Sequence, residues 1–186
     1  PANKALAFNS SIEYSLIEID SLENFKETKI VVATNLLDST IKSCGIEKFK
    51  VLKNFTGADF TGTICTHPFQ ALGYNFDVPM LDARFVTLEQ GTGIVHCAPS
   101  HGPDDFNLCL KHNIPSKYTV DNSGYYTDEI PFFTKTHVFK ADPIVIDKLK
   151  ELNKLLKNDK LQHSYPHSWR SKAPLIYRAT PQWFIS

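Results

Sequence analysis

The 186-residue sequence has no apolar run that approaches the roughly 20 residues needed for a membrane-spanning helix. Its first residues also lack the basic start and hydrophobic stretch of a secretory signal. Only four cysteines are present, and no two of them have C-x-x-C spacing. Free thiols in a reducing compartment are therefore expected rather than a disulfide framework. These absences predict a soluble protein of the cytoplasm, or else of the mitochondrial matrix, with no membrane partner.

The sequence also lacks a net charge, because 20 basic residues balance 20 acidic ones. This balance argues against a free-standing nucleic-acid-binding protein that depends on a large positive field. The charges are unevenly distributed, however. Residues 1–134 carry 10 basic and 16 acidic side chains, whereas residues 135–186 carry 10 basic and 4 acidic ones. The basic C-terminal quarter could face phosphates, or its lysines could form the solvated side of one helix.

Short apolar stretches separated by turn-forming residues predict a chain rich in strands. The predicted strands cover residues 12–19, 29–33, 49–52, 63–66, 84–88, 93–98, 161–165 and 175–178. Residues 115–136 are expected to form a long connecting loop with a turn at residues 122–124.

Helices are expected to be fewer and peripheral. One should begin at an Asp142 N-cap and end near Asn158, with residues 145, 149, 152 and 156 on one face. A second is predicted over 103–112, with residues 106, 109 and 110 inward, and a third between residues 35 and 43. At 42% hydrophobic, the chain can bury one substantial core. The pattern therefore predicts a single α+β domain, residues 1–186, with a β-barrel-like core and a few peripheral helices.

One stretch, from Gly91 to Phe106, combines several features of a ligand site. Its sequence is Gly-Thr-Gly-Ile-Val-His-Cys-Ala-Pro-Ser-His-Gly-Pro-Asp-Asp-Phe. The first glycines allow close backbone approach, and Pro103 suits the first position of a helix with carboxylates in its first turn. A strand followed by this helix brings His96 and Asp105 together. Without further context, a strand histidine is more often a core residue and such a carboxylate more often a cap.

Histidine spacing could suggest a metal site, at His96 and His101 or at His163 and His167. Neither pair has a cysteine or carboxylate cluster at ligand spacing. We therefore expect no metal.

Several blocks of sequence, together with the Gly91–Phe106 motif, carry a family resemblance. These blocks are Thr66-His67-Pro68-Phe69, Asp77-Val78-Pro79, Val86-Thr87-Leu88 and the tail from His163 to Phe184. They occur in the order found in the editing domain inserted into isoleucyl-tRNA synthetase, and the chain resembles that domain. Related leucyl and valyl domains have methionine or lysine where this chain has His96, so the resemblance is to the isoleucyl type. The serines around Trp169 resemble the alphaproteobacterial or mitochondrial branch.

The resemblance implies a hydrolase that removes valine from mischarged tRNA(Ile). Isoleucine and valine differ by one methylene, which a pocket discriminates by only about 1–3 kcal/mol, and this amino-acid pair is itself a standard example of that limit. A second pocket that admits valine and rejects isoleucine removes the remaining errors. The implied partners are the 3′ acceptor end of tRNA(Ile), valine and the catalytic domain of the same polypeptide. No cofactor is implied for this domain, since ATP and magnesium would bind the catalytic domain.

The resemblance also assigns roles to residues. Asp105 would bind the α-ammonium group of the amino acid, and His96 would line the pocket and exclude isoleucine by its bulk. The glycine turn would bring backbone amides near the terminal adenosine. The residues expected to contact substrate are Asn3, Gly91, Thr92, Gly93, Val95, Cys97, Ala98 and His101.

One departure from the family puts hydrolysis by the chain alone in doubt. In the family, a threonine-rich peptide that positions the water comes immediately before Pro-Ala-Asn, whereas this sequence starts at Pro1. Residues 1–10 and about 163–186 are expected to be junctions to the catalytic domain. Three alternatives stay open. The first is an editing domain of the valyl or leucyl type, the second is a module that binds the tRNA 3′ end without hydrolysis, and the third is a free-standing hydrolase of small amino-acid esters.

Overall fold

The computed structural model describes residues 1–89, 91–160, 164–180, 182, 183 and 185. These residues form strands β1 to β7, at Ala5–Phe8, Glu13–Ile19, Thr28–Ala33, Phe49–Thr56, Ile64–Thr66, Asp77–Asp82 and Val95–Cys97. The α-helices are α1 (Leu37–Cys44), α2 (Pro103–Lys111) and α3 (Val138–Glu151). Short 3-10 turns occur at Glu23–Phe25, Thr34–Leu36, Gly57–Phe60 and Gln70–Leu72. None of the helices in these ranges is both long enough and apolar enough to cross a membrane.

The strands form two sheets. One is a four-stranded mixed sheet in the order β5-β6-β1-β7, in which β1 is parallel to β6 and antiparallel to β7. The other is an antiparallel sheet in the order β3-β2-β4. A shared core that includes Phe8, Tyr14, Val32 and Met80 packs the two sheets against each other. The α+β class is confirmed, but the predicted barrel-like core is corrected to two open sheets, since no closed barrel forms among the described residues.

Five of the eight predicted strands are present in the structure. Strands β2, β3, β5 and β7 are confirmed, and β4 extends four residues beyond the predicted 49–52. The sequence analysis missed β1 and β6. Both have nearly continuous apolar sequences and lie inside the four-stranded sheet, and Pro79 within β6 argued against a strand there.

Two predicted strands are wrong. Residues 84–88 contain no strand. Val86 is buried, and its carbonyl accepts from the Asn9 side-chain amide at 3.2 Å. Residues 175–178 have no strand, although an isolated bridge joins His167 to Pro174. Of the predicted strand 161–165, residues 161–163 lie outside the described residues, and residues 164 and 165 are not in a strand. The positions 181, 184 and 186 of the tail also lie outside the described residues.

Helix α3 begins earlier than predicted. Its N-cap is His137, whose Nδ1 accepts from the Phe139 amide at 3.3 Å, so the predicted N-cap at Asp142 and end at Asn158 are wrong. Pro143 lies in the second turn of the helix rather than at its first position. The predicted inner face is partly right, because residues 145, 149 and 152 pack against a cluster that contains Phe69 and Phe133, whereas residue 156 follows the helix.

Helix α2 and the turn at residues 122–124 are close to expectation. Pro103 occupies the start of α2, but the buried residues are Leu108 and Cys109, while the predicted inward residues Phe106 and Leu110 are 37% and 61% exposed. Asp105 is three and four residues before the buried pair, so it lies on the buried face of the helix. Between Val120 and Tyr126, an antiparallel bridge closes the turn.

Candidate functional site

A cavity of about 860 Å³ lies against one face of the four-stranded sheet. Its floor is formed by the segment before β1, by β1 and by β7, which contribute Asn3, Leu6, His96 and Ala98. One wall is the segment after β5, residues 67–69. The opposite walls are α3 and the C-terminal segment, which contribute Val138, Phe139, Asp142, Val145, Leu149, Tyr165, Ile176 and Tyr177. The volume is in the range of about 300–1,000 Å³ that is usual for ligand pockets.

The alternation of side chains along β7 decides which predicted residues reach the cavity. His96 pairs with Leu6 of β1, and both line the cavity. Val95 and Cys97 point to the other face, where Cys97 is fully buried in the core against Ala5. The structure therefore brings His96 to the cavity and places Val95 and Cys97 behind it.

Asn3 and Ala98 complete this floor. The Asn3 Oδ1 accepts from the Cys97 amide at 3.2 Å, and the Lys4 amide donates to the Cys97 carbonyl at 2.8 Å. These bonds continue the β1–β7 pairing beyond the strand ends. Asn3, His96, Ala98 and His101 are thus the predicted site residues that the structure brings together around one cavity.

The predicted glycine turn lies elsewhere. The Thr92 carbonyl accepts from the Ala33 amide at 2.8 Å, and the Gly93 carbonyl accepts from the Tyr14 hydroxyl at 2.8 Å. A Cβ on Gly93 would lie 2.5 Å from the Ala33 side chain, and the Gly93 φ of 77° also favours glycine. Thr92 and Gly93 therefore contact the three-stranded sheet, Gly91 is exposed, and none of the three lines the cavity.

Asp105 lies immediately behind the cavity floor. Its Oδ2 accepts from the Ala98 amide at 2.8 Å, which ties the first turn of α2 to the end of β7. Its Oδ1 makes no hydrogen bond to any residue that the structure describes. Burial and then the nearby Asp105 charge raise the pKa of Cys97 to about 12 and that of Cys109 to about 11. Both buried thiols therefore stay protonated and unreactive at neutral pH.

His101 joins the C-terminal segment to the site through a hydrogen bond. A carbonyl can only accept, so the His101 Nδ1–H donates to the Tyr177 carbonyl at 2.8 Å, and Nε2 accepts from the Thr119 hydroxyl at 2.8 Å. Burial lowers the pKa of His101, and the bond to Tyr177 raises it in part. The Ala179 amide also donates to the Ser100 carbonyl at 2.8 Å. These bonds hold Tyr177 over the cavity.

Sequence comparisons decide the family of the chain. A family model described as "Leucyl-tRNA synthetase, editing domain" matches residues 23–160. The chain belongs to this family of editing domains. The resemblance of the sequence motifs to an editing domain is thereby confirmed.

Curated relatives of this editing domain are isoleucine–tRNA ligases. The ligase of Pelagibacter ubique (strain HTCC1062) is 65% identical over 186 residues, which are the whole chain and 21% of the ligase. The ligase of Francisella tularensis subsp. novicida (strain U112) is 43% identical over 186 residues, again the whole chain and 19% of the ligase. The chain thus spans about a fifth of the length of the curated relatives it matches.

A solved structure supports the fold of the editing domain. The structure described as "The crystal structure of GlLeuRS-CP1" aligns with a TM-score of 0.63 and 14% identity, covering 86% of this chain and 79% of that one. At this identity the likeness supports the architecture, with its few helices around two sheets, and nothing about specificity.

The sequence analysis missed half of the wall of the site. Helix α3 contributes Phe139 and Asp142, and the C-terminal segment contributes Ile176 and Tyr177. Within α3, residues 145 and 149 were predicted only to share one face of the helix, and this face touches the core and also lines the cavity. No signal in the sequence could have told these two roles apart.

No three His, Cys, Asp or Glu side chains are grouped closely enough to hold a metal ion in the part of the chain that the structure describes. His163, one of the histidines considered for such a site, lies outside the described residues. The absence of a metal from the editing domain stays a prediction.

His67 lines the cavity of the editing domain as a neutral ring. It is 3% exposed, stacks on Tyr74 at 4.4 Å between ring centroids, and accepts from the Phe69 amide through Nδ1 at 3.0 Å. Burial is the main cause that lowers the pKa of His67 from 6.5 to about 4. The neutral form, with its proton on Nε2, is therefore the folded form at pH 7.

We expect the editing domain to lose stability as the pH falls from about 6.5 to about 4. In that window the unfolded His67 binds a proton more readily than the folded one, so the free energy of unfolding falls, by roughly 2–3 kcal/mol in all. In His67→Asn, the amide oxygen can still accept from the Phe69 amide but does not titrate. Urea unfolding at several pH values should show a shallower pH dependence in this variant. An unchanged pH dependence would contradict the assignment to His67.

Proposed function

We propose that the editing domain is part of an isoleucine–tRNA ligase and hydrolyses valyl-tRNA(Ile) at the aminoacyl ester. The whole-chain identity of 65% to an isoleucine–tRNA ligase supports the parent enzyme. The cavity that gathers Asn3, His96, Ala98 and His101 supports the site. This gathering of motif residues around one ligand-sized cavity is the observation that carries the proposal. The domain would work in the cytoplasm, where its partners would be tRNA(Ile) and the catalytic domain of the same polypeptide.

The reaction needs few groups and no cofactor. Water attacks the ester carbonyl carbon, the bond from that carbon to the ribose oxygen breaks, and a proton passes to that oxygen. The products are valine and uncharged tRNA. Any ATP and magnesium that the parent enzyme uses would act in its catalytic domain. The task of the editing domain is to hold the ester and the water in the productive geometry.

The cavity has an apolar surface for the amino-acid side chain and a ring that limits the size of that side chain. Leu6 and Ala98 lie on the floor, and the His96 ring stands beside them. A ring at this position can leave space for the valine side chain and clash with the additional methylene of isoleucine. One methylene in a hydrophobic pocket corresponds to about 10–200-fold in discrimination.

Two carboxylates are near enough to be considered for the α-ammonium group. Asp142 lines the cavity but is exposed, whereas Asp105 is half-buried directly behind Ala98. Ion pairs are stronger where water is scarce. Asp105 is also favoured by its family position and by its Oδ1, which has no hydrogen-bond partner among the described residues. We therefore propose Asp105 as the ammonium partner, reached by the substrate past Ala98.

Binding of stable substrate analogues tests the proposal. In these analogues an amide replaces the ester between the amino acid and adenosine. Calorimetry on the chain should give at least tenfold tighter binding for the valyl than for the isoleucyl analogue, in line with one methylene. Equal affinities, or no binding of either analogue, would contradict the proposed function.

We expect the chain to bind whole tRNA weakly, with a shallow dependence on salt. Its net charge is zero and its basic excess is confined to residues 135–186, so few phosphates can be neutralised. Each phosphate contact on a duplex contributes about −0.9 to the slope of log affinity against log salt. Fluorescence titrations at several salt concentrations would measure this slope. Tight binding with a steep slope would mean that residues 135–186 form a phosphate-binding face, not merely a solvated helix.

A further inference from the structure

His67 has one hydrogen-bonding atom that the fold does not use. Its Nδ1 accepts from the Phe69 amide at 3.0 Å, so the neutral ring carries its proton on Nε2. This Nε2–H has no acceptor among the residues that the structure describes. In those residues, Thr40 Oγ1 is the side-chain polar atom that is sealed from solvent without a partner, so His67 Nε2 is not sealed. The side chain is 3% exposed and lines the cavity, and its donor therefore faces that cavity.

The packing of the ring fixes this donor in place. His67 stacks on Tyr74 with 4.4 Å between ring centroids, and the centroids of Phe69 and Phe76 are each 5.6 Å away. Burial, and then nearby positive charges such as that of Lys4, lower the pKa of His67 to about 4. At neutral pH one ring nitrogen is thus occupied by the Phe69 amide and the other carries a proton. The ring cannot act as a base toward the cavity, but it can donate to an oxygen there.

A second N–H donor lies beside this ring. Ala2 packs against the cluster that contains Tyr74, and the Lys4 charge acts on His67, so the residues on both sides of Asn3 are close to the ring. The Asn3 Oδ1 accepts from the Cys97 amide at 3.2 Å. Its Nδ2 has no acceptor in the described part of the chain. Two neutral donors, His67 Nε2 and Asn3 Nδ2, are therefore available at this end of the cavity floor.

The carbonyl oxygen of the substrate ester would lie at this end of the floor. The proposed function places the α-ammonium group at Asp105, past Ala98, and Ala98 follows the residue whose amide is bonded to Asn3. In an α-amino ester, bond lengths keep the carbonyl oxygen within roughly 3–4 Å of the ammonium nitrogen. Negative charge develops on this oxygen when water attacks. None of the described residues that line the cavity is lysine or arginine, so N–H donors have to stabilise that charge.

We propose that His67 is a catalytic residue that stabilises the oxyanion of ester hydrolysis through its Nε2–H. The inference rests on the proposed function, because it requires hydrolysis in this cavity. It gives a role in the reaction to a histidine that the sequence analysis quoted only as part of the family resemblance.

The proposed step conserves the proton of His67. The water oxygen forms a bond to the carbonyl carbon, and the π electron pair of the carbonyl moves to its oxygen, which accepts from His67 Nε2 and from Asn3 Nδ2. The electron pair then returns, the bond between that carbon and the ribose oxygen breaks, and a proton from the attacking water ends on the ribose oxygen. His67 only donates a hydrogen bond throughout.

Two substitutions separate this donor from the structural bond of the same ring. In His67→Asn, the amide oxygen can still accept from the Phe69 amide, but no group reaches the position of Nε2. In His67→Gln, the longer side chain brings an N–H close to the position of Nε2, but the acceptor for Phe69 is lost. We expect His67→Asn to slow the hydrolysis of valyl-tRNA(Ile) by about 100–1,000-fold, as the loss of one oxyanion donor does. His67→Gln should recover most of this loss.

The rate is measured by single-turnover deacylation in a complete ligase, the Pelagibacter ubique enzyme with its equivalent segment replaced by this chain. Calorimetry on the chain measures the affinity for valyl-amide adenosine, the valyl analogue in which an amide replaces the ester. In His67→Asn this affinity should stay close to the wild-type value, because the analogue does not carry the charge of the transition state. Retained affinity also shows that the variant is folded.

His137→Asn is the matched control. Its Nδ1 also accepts from the amide two residues later, that of Phe139, but His137 does not line the cavity. This variant should hydrolyse valyl-tRNA(Ile) at the wild-type rate.

The outcomes separate the role of His67 from the proposed function. If the wild-type chimera does not hydrolyse valyl-tRNA(Ile), the proposed function fails. If the wild type hydrolyses it and His67→Asn is equally fast, or if His67→Gln is as slow as His67→Asn, His67 is a structural residue and the inference is overturned. An affinity for valyl-amide adenosine that falls as far as the rate would also overturn it, because His67 would then act in substrate binding alone.

Discussion

Replacing Asp105 with asparagine is expected to weaken binding of the valyl-amide adenosine by roughly 10–100-fold. The substitution removes the carboxylate charge that we place against the α-ammonium group, and a hydrogen bond to a charged group is worth about 1.5–3 kcal/mol. The asparagine oxygen can still accept from the Ala98 amide, so the tie between α2 and β7 is kept. Calorimetry measures the affinity for the analogue, and thermal unfolding of the same samples measures the stability of the variant.

The Asp105→Ala variant separates the two roles of this residue. It removes the acceptor as well as the charge, so the half-buried Ala98 amide loses its partner, at a cost of about 1–3 kcal/mol in the free energy of unfolding. Asp142→Asn is the matched control, because Asp142 carries a carboxylate and lines the cavity. If Asp142→Asn loses affinity and Asp105→Asn does not, the ammonium partner is Asp142 and Asp105 has only a structural role.

Replacing His96 with alanine is expected to destroy the discrimination against isoleucine. His96 faces the cavity from β7, so its removal widens the space beside Leu6. Loss of a steric limit of one methylene should raise the hydrolysis of isoleucyl-tRNA(Ile) by about tenfold or more. The measurement needs a complete ligase. We suggest the Pelagibacter ubique ligase with its equivalent segment, 65% identical over 186 residues, replaced by this chain.

The neighbouring Val95→Ala is the control for His96→Ala. Val95 belongs to the same strand but points to the other face of the sheet, so its truncation leaves the cavity unchanged. Both esters should then be hydrolysed at wild-type rates. If His96→Ala behaved like Val95→Ala, His96 would be only a structural residue of the sheet, as its strand position alone indicates.

The sequence predicted the elements whose local pattern is unambiguous. Apolar residues at 12, 14 and 16 alternate with polar ones at the start of β2, and Pro103 at the start of α2 agrees with carboxylates in its first turn. Such local signals do not depend on the rest of the chain. The family resemblance, and not the strand pattern, implied that His96 lines a pocket. In the structure, the alternation of side chains along β7 brings His96 to the cavity.

The remaining features depend on contacts between distant segments. β1 and β6 pair in parallel across about 70 residues of sequence, and neither has alternation because neither is at an edge of its sheet. The same holds for the site. Its wall of α3 and the C-terminal segment is fixed by bonds such as that between His101 and the Tyr177 carbonyl. The periodicity of a sequence does not predict hydrogen bonds between segments that are far apart in the chain.

The glycine turn illustrates a different limit. The glycines at 91 and 93 were predicted to approach a ligand, yet Gly93 is needed because the Ala33 side chain leaves no space for a Cβ. A glycine permits close approach of any neighbour, and the sequence cannot say whether that neighbour is substrate or protein.

The most direct test of the proposed editing activity is the clearance of preformed valyl-tRNA(Ile) by the chimeric ligase. Its control is the same ligase with the segment replaced by a Gly-Ser linker, and normal isoleucine charging by both proteins establishes that they are folded. The chimera is expected to free valine from this tRNA much faster than the linker protein does and to spare isoleucyl-tRNA(Ile). If the chimera clears valyl-tRNA(Ile) no faster than the linker protein, the domain does not hydrolyse this ester. Retained binding of the valyl analogue would then identify it as a module that binds the tRNA 3′ end.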